Sequence, residues 1–379
     1  MATILDITGE LNGVVVSARE LADVLNRNGR DVRIVTPYDS SKTRLVYKLM
    51  IWLGQSFRKT KLSWITIVIL MIKFSLLFQE THKHKRGVMV FHAHDVISAS
   101  VFLLFSRQTT HKVMLHTHFH QMPWKEFSEA RYVKPGSLSY RFLRYFSLFI
   151  LRQSRVQLIH VSEENRLEVN QYLPQSKRTG KILYPGIDLL ESLEGVKLES
   201  PYLINVGKID SRKNQILLID ILAELKKHRI ELPFILAGPE DETEKNRLIQ
   251  RSLAKGVADQ IHYYGQQDRS QISILVRNAS LYIHTSLAES FGRTIIEAIQ
   301  LKTPVLALDY PALHEILDPK AMWNPESTPT EIAKTIMPFI VEKDLRVQLQ
   351  KEQYTHFSDH FTTDAMLKSY NSIIKTSEI

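Results

Sequence analysis

The chain predicts an α/β protein built from two doubly wound, Rossmann-like domains. Three observations carry this. Short apolar runs alternate with helical stretches along most of the chain. The series restarts after a mixed stretch, Asp188–Ser200. The length of 379 residues suits two domains, at roughly 100–200 residues each.

In the first half, Thr3–Ile7 reads as a buried strand, followed by a helix over Ser17–Asn28 that stops near Gly29. Further strands are expected at Val32–Thr36, Gly87–His92, Lys112–Thr117 and Val156–Val161. Apolar strands separated by helices make βαβ units, hence a parallel sheet covered on both faces. The second half repeats the plan. Strands are expected at Tyr202–Val206, Phe234–Ala237, Ile261–Tyr264, Leu281–Thr285 and Pro304–Leu308. Helices are expected at Asn214–Lys227, Glu242–Ala254, Arg269–Arg277 and Thr294–Leu301. The expected domains are residues 1–190 and 191–362, with the amphipathic tail 363–379 packing back on the first. Ligands of such sheets bind beyond the carboxyl ends of the strands, so a central cleft faced by both domains is the expected site.

Composition narrows the chemistry. The chain has no cysteine, which excludes disulfides, thiolate nucleophiles and Cys-ligated metals and favours a reducing compartment. Met1-Ala-Thr-Ile-Leu-Asp-Ile-Thr reads as a strand rather than a secretory signal. The first strand leads to Gly9-Glu-Leu-Asn-Gly13, which is not the Gly-x-Gly-x-x-Gly of a dinucleotide site. His92, His94, His116 and His120 fall on two different strands with Asp95 as their acidic neighbour, an arrangement that argues against a metal centre.

The strand Leu281–Thr285 runs into Glu289-Ser-Phe-Gly-Arg-Thr-Ile-Ile-Glu297, where a helix begins after Gly292. A helix N-terminus offers backbone N–H groups and a positive dipole end to a phosphate. Glu289 and Glu297 flank that turn and suit sugar and ribose hydroxyls as acceptors. Strand Tyr202–Val206 ends in Gly207-Lys208, with Lys213 five residues on, so two cations leave the same sheet edge. Two cations and a helix terminus can neutralise a departing diphosphate without a metal ion.

These residues resemble the retaining, nucleotide-sugar-dependent glycosyltransferases of family 4, which have the two-domain GT-B fold. The resemblance implies that Glu289 contacts the donor sugar and Glu297 the ribose. The amides of Phe291 and Gly292, with Arg293 beside them, meet sugar and phosphate. Val206-Gly207-Lys208 through Lys213 matches the family's diphosphate-binding pattern, with Lys208 where an arginine is usual. Asn12-Gly13 resembles the glycine-rich turn after the first strand. His92-Ala-His94-Asp95 and His116-Thr117-His118 resemble two histidine-bearing strand ends, which assigns His118 to the donor sugar. Pro185-Gly186-Ile187-Asp188 resembles the start of the linker, whereas Tyr310-Pro311 replaces a frequent Gly-Gly after Asp309. The implied catalytic residues are Glu289, His118, Lys213 and Lys208. The implied donor contacts are Gly13, Lys208, Lys213, Phe291, Gly292, Arg293 and Glu297. No metal and no cofactor beyond the nucleoside-diphosphate sugar is implied.

The net charge of +9 is local. Lys42, Arg44, Lys48, Arg58, Lys59, Lys61, Lys73, Lys83, Lys85 and Arg86 face one acid, Glu80, while the rest of the chain balances 39 basic against 39 acidic residues. Inside that segment lies the apolar run Leu62–Phe78, which contains Trp64 and is flanked by lysines and arginines, with Trp52 before it. A bilayer span there would interrupt a domain, so a helix lying on an anionic leaflet is expected, widened by Tyr140–Arg152. This points to a lipid-linked or membrane-borne glycan acceptor, and to a cytoplasmic protein held peripherally on the inner face of the membrane. Other classes stay open: an epimerase or phosphorylase on the same fold, or a basic module binding membrane or nucleic acid.

Overall fold

The computed structural model describes residues 2–3, 13–36, 64–84, 90–106, 112–188 and 201–376. Asn12, Trp52 and the basic residues Lys42, Arg44, Lys48, Arg58, Lys59, Lys61, Lys85 and Arg86 lie outside the described residues. The chain forms two compact units, Met1–Gly186 with Thr363–Ile379, and Ile187–Thr362.

The first unit contains β1 (Ala2–Thr3), α1 (Gly13–Arg27), β2 (Ile34–Val35), α2 (Trp64–His84), β3 (Val90–Ala93) and α3 (Val96–Phe105). It continues through β4 (Lys112–Thr117), α4 (Pro123–Glu129), α5 (Leu138–Leu151), β5 (Val156–His160), α6 (Glu163–Asn170) and β6 (Lys181–Ile182). The strands are parallel, in the order β2-β1-β3-β4-β5-β6. Alternation along the strands feeds two cores. Phe91, Ala93, Val113 and Leu115 pack toward α2, α3 and α5. Met114 and Ile159 pack on the other face with Leu21, Leu25, Tyr370 and Ile373.

The apolar run settles into α2, and the helix is packed rather than lying free. Leu70 and Leu77 join the core, with Ile67 and Phe74 against it. Lys73 is buried, and its charge acts on the Asp95 carboxylate. By length and composition alone, Ile65–Lys83 would suffice to cross a membrane. Val68, Met71 and Phe78 remain exposed on its outer side.

The second unit contains β7 (Leu203–Val206), α7 (Ile216–Lys227), β8 (Phe234–Ala237), α8 (Glu242–Lys255), β9 (Ile261–Gly265), α9 (Arg269–Asn278), β10 (Leu281–His284) and α10 (Arg293–Gln300). It ends with β11 (Val305–Leu308), β12 (Met322–Trp323), α11 (Pro329–Val341) and α12 (Lys343–His360). Its parallel sheet runs β12-β11-β10-β7-β8-β9. Counted within the unit this is the doubly wound order, and the chain changes direction across the sheet between β7 and β10. The last helix, α13 (Thr363–Thr376), belongs to the first unit, where Met366, Tyr370 and Ile373 pack beside α1.

Candidate donor-binding site

The ends of β7 and β10 meet where the strand order reverses, the position at which open α/β sheets bind ligands. Several contacts build that edge. Asn205 Nδ2 donates to the Ile283 carbonyl at 2.8 Å, and the Tyr282 hydroxyl donates to the Val206 carbonyl at 2.9 Å. Gly238 closes over the end of β7: a Cβ there would stand 2.3 Å from the Gly207 carbonyl oxygen, so only glycine fits.

Two loops leave this edge and are tied to each other. The Leu287 amide donates to the Arg212 carbonyl at 2.9 Å, Thr285 Oγ1 to the Lys213 carbonyl at 2.9 Å, and Arg212 Nη1 to the Ala288 carbonyl at 3.0 Å. This frame brings Lys213 Nζ to 2.5 Å from Glu289 Oε1. His284 Nε2 lies 3.1 Å from the same oxygen. Both carboxylate partners therefore gather on Oε1. Burial would raise the Glu289 carboxyl, but the Lys213 ammonium and the His284 hydrogen bond outweigh it and hold the group well below the usual carboxylate range. Burial also lowers His284, against the pull of Glu289, so the imidazole is neutral and donates through Nε2–H.

Past Glu289 the chain turns into α10. Gly292 adopts φ 96°, a left-handed conformation, and no side chain caps the helix. A Cβ at Gly292 would also stand 2.8 Å from Leu313 Cδ2. The result is a helix N-terminus without a side-chain cap, next to Lys213 and Glu289. Phe291 turns its ring inward against Phe361, with centroids 5.5 Å apart. Arg293 Nε donates to Glu297 Oε1 at 2.9 Å, one turn into the helix. Glu297 also lines a small pocket with Val206, Tyr282, Thr294 and Leu301. Lys208 is exposed beyond β7 and stays outside the Lys213–Glu289–His284 cluster.

In the first unit, Gly13 opens α1. His118 follows β4, and its Nε2 lies 2.9 Å from His94 Nδ1. Thr117 points the opposite way, where its hydroxyl bonds the Asn165 side chain and approaches His160 Nδ1 at 2.8 Å. Asp95 caps α3, accepting from the Ile97 and Ser98 amides at 2.7 and 3.0 Å. His120 is drawn away by Glu126 and Glu129 of α4, at 2.7 and 3.2 Å. Lying on two strands does not separate the other histidines. β3 and β4 are neighbours, with His92 paired to Met114, so the side chains of His92, His94 and His116 share one face.

Sequence reasoning missed His284 and Arg212. His284 looks like an ordinary strand residue, and Arg212 is overshadowed by Lys213. Their placement depends on the pairing of β7 with β10, which no local pattern encodes.

Residues 11–190 match the glycosyltransferase family 4 domain, and residues 191–356 match the glycosyl transferases group 1 domain. An O-antigen biosynthesis glycosyltransferase, WclY of Escherichia coli, is 24% identical over 212 residues, covering 53% of this chain and 56% of the relative. A D-inositol 3-phosphate glycosyltransferase of Jonesia denitrificans is 27% identical over 183 residues, 45% of this chain and 43% of the relative. The chain thus spans about half the length of the curated relatives it matches. Among solved structures, Anabaena HepE in complex with UDP-glucose superposes with a TM-score of 0.72 at 17% identity, covering 99% of each chain. WaaG, a glycosyltransferase of lipopolysaccharide biosynthesis, gives 0.67 at 14% identity, covering 97% of this chain and 98% of its own. With both halves matched and both sheets doubly wound, the chain belongs to the family 4 glycosyltransferases of GT-B fold.

Proposed function

We propose that the protein transfers a sugar, with retention of anomeric configuration, from a nucleoside-diphosphate sugar to a lipid-linked or membrane-borne glycan. The observation that carries the donor half is the Lys213–Glu289 pair beside the uncapped start of α10. Lys213 has three N–H donors and uses one on Glu289, leaving others for a diphosphate oxygen. Glu289 takes both of its contacts on Oε1, which leaves Oε2 to accept a sugar hydroxyl. Lys208, Lys213 and the α10 amides stabilise the leaving diphosphate without a metal ion, Glu297 takes the ribose, and His118 contacts the sugar. HepE's complexes with UDP and UDP-glucose make uridine the first base to try.

The acceptor half is supported by α5. Leu138, Phe142, Tyr145 and Phe149 recur at helical spacing and are all exposed, Leu138 at 83% and Tyr145 at 73%. The exposed Arg141, Arg144 and Arg152 flank that stripe. An exposed aromatic and basic helix face suits an anionic leaflet and a peripheral position on the cytoplasmic side.

A thermal-shift screen of nucleoside diphosphates and their sugars tests the donor assignment. A rise for one base, lost in Lys213→Ala, supports it; no rise for any base refutes it. Release of free nucleotide only when acceptor is present separates transfer from epimerase or phosphorylase chemistry. Flotation with anionic vesicles tests the membrane face.

A further inference from the structure

The face of the first sheet that packs under α1 and α13 carries a histidine cluster of which the donor assignment uses only His118. His92 and His94 alternate along β3 and its continuation, and His116 and His118 do the same along β4. The four rings converge. Centroids are 4.7 Å apart for His92 and His94, 5.6 Å for His92 and His116, and 4.2 Å for His116 and His118. Tyr370 of α13 stacks on His92 at 5.7 Å. His92, His94 and His116 are 2%, 4% and 3% exposed.

Most of their nitrogens are not satisfied by the protein. Both ring nitrogens of His92 and Nε2 of His94 are buried without a hydrogen-bond partner, and His116 has only the Leu183 backbone beside it. Buried polar atoms are nearly always paired, so orphans concentrated in one place need a reason. Nitrogens of His92, His94 and His116 lie within 4.8 Å of one another. His94 Nδ1 faces His118 Nε2 at 2.9 Å. Donation from His94 Nδ1–H to His118 leaves the His94 Nε2 lone pair for an ion, the outer-sphere arrangement common around ligating histidines.

We propose that His92, His94 and His116 bind one divalent transition-metal ion of the zinc class, with His118 orienting His94. Three imidazoles and no thiolate suit zinc, nickel or copper over magnesium or calcium. A tetrahedral ion with bonds of about 2.0–2.1 Å holds its ligand nitrogens roughly 3.3 Å apart, so the three rings would rotate toward one another to close on it. The bound ion ties the carboxyl end of β3 to that of β4 and fixes the imidazole that His118 touches.

The test uses the full chain stripped of metal and loaded with Co2+, either added to the native protein or present during refolding. The expected result is one equivalent per chain with the intense visible absorption of a tetrahedral nitrogen site, displaced by Zn2+. His92→Gln or His116→Gln abolishes it, and His118→Gln weakens Co2+ binding by about 10–100-fold. The exposed pair His356 and His360, one helical turn apart with centroids at 4.6 Å, is the control for adventitious binding. In H356A/H360A the signal persists. If the wild-type chain shows no tetrahedral equivalent in either loading arm, or if the signal vanishes with His356 and His360, the site does not exist. The wild-type spectrum decides this even if the buried variants fail to fold.

Discussion

At the carboxyl ends of β7 and β10, groups of opposite charge meet: Lys213 and Glu289 pair at 2.5 Å with His284 on the same oxygen. At the carboxyl ends of β3 and β4, four imidazoles gather, and burial suppresses the charge of each. Both places are strand ends of a doubly wound parallel sheet, where side chains escape the core and converge. The second unit holds its charge in place through an internal partner, so the charge is present before a ligand arrives. The first unit holds lone pairs in place, which the proposed ion would complete.

The largest effects should come from breaking the charged edge. Lys213→Ala or Glu289→Ala is expected to lower turnover by on the order of 10²–10³, the loss of one preorganised electrostatic contact, measured as product formation at saturating donor. Each single change also strands a mostly buried charge, at a cost of about 3–5 kcal/mol in urea unfolding. The double variant should lose less than the two singles combined, and strict additivity would break the claim that they act as a pair. Lys208→Ala, exposed and outside the cluster, should cost only about tenfold in turnover.

Next is the left-handed turn. Gly292→Ala meets Leu313 and a φ of 96°, and is expected to cost about 1–2 kcal/mol or more in unfolding, together with nucleoside-diphosphate affinity. Unchanged affinity would separate the turn from the phosphate site.

Acid sharpens the comparison further. The folded value of Glu289 lies below the unfolded value of about 4.3. Its stabilisation is therefore fully present above that unfolded value and is lost as pH falls through the folded one. Urea midpoints followed below about pH 5 should fall more steeply in the wild type than in Glu289→Gln. Equal slopes would mean that the pair does not hold the proton off. The smallest effect on stability belongs to the outer face of α5. Leu138→Ser with Tyr145→Ser should change unfolding by less than about 0.5 kcal/mol while reducing flotation with anionic vesicles. Undiminished flotation would remove α5 from the membrane reading.

Much of the fold was legible in the chain. Lys112–Thr117 and Phe234–Ala237 form strands with the expected bounds, because apolar runs between turn residues leave little choice. β6 and β12 went unseen: two residues each carry no period to detect. α1 already includes Gly13–Val16 ahead of the expected Ser17, because burial of Val15 against Ala18 and Ile34 outweighs the weak helix propensity of three successive valines. At the site, the Glu289–Glu297 spacing announced a helix start, and Gly292 supplies it. His284 and Arg212 were not legible, because their roles arise from which strands lie side by side. The same is true of the histidines: sequence places them on two strands, and only the β3–β4 pairing makes those strands neighbours.

The Lys213–Glu289 contact also bears on selectivity. An anion approaching this loop finds its nearest ammonium already answered by a carboxylate. Bare sulfate gains the cation only by facing that carboxylate, with no hydroxyl to offer it. On the proposed donor assignment a sugar diphosphate would bring both halves of the match, oxygen for Lys213 and hydroxyl for Glu289, so the pair would act as a filter against small anions that lack a hydroxyl.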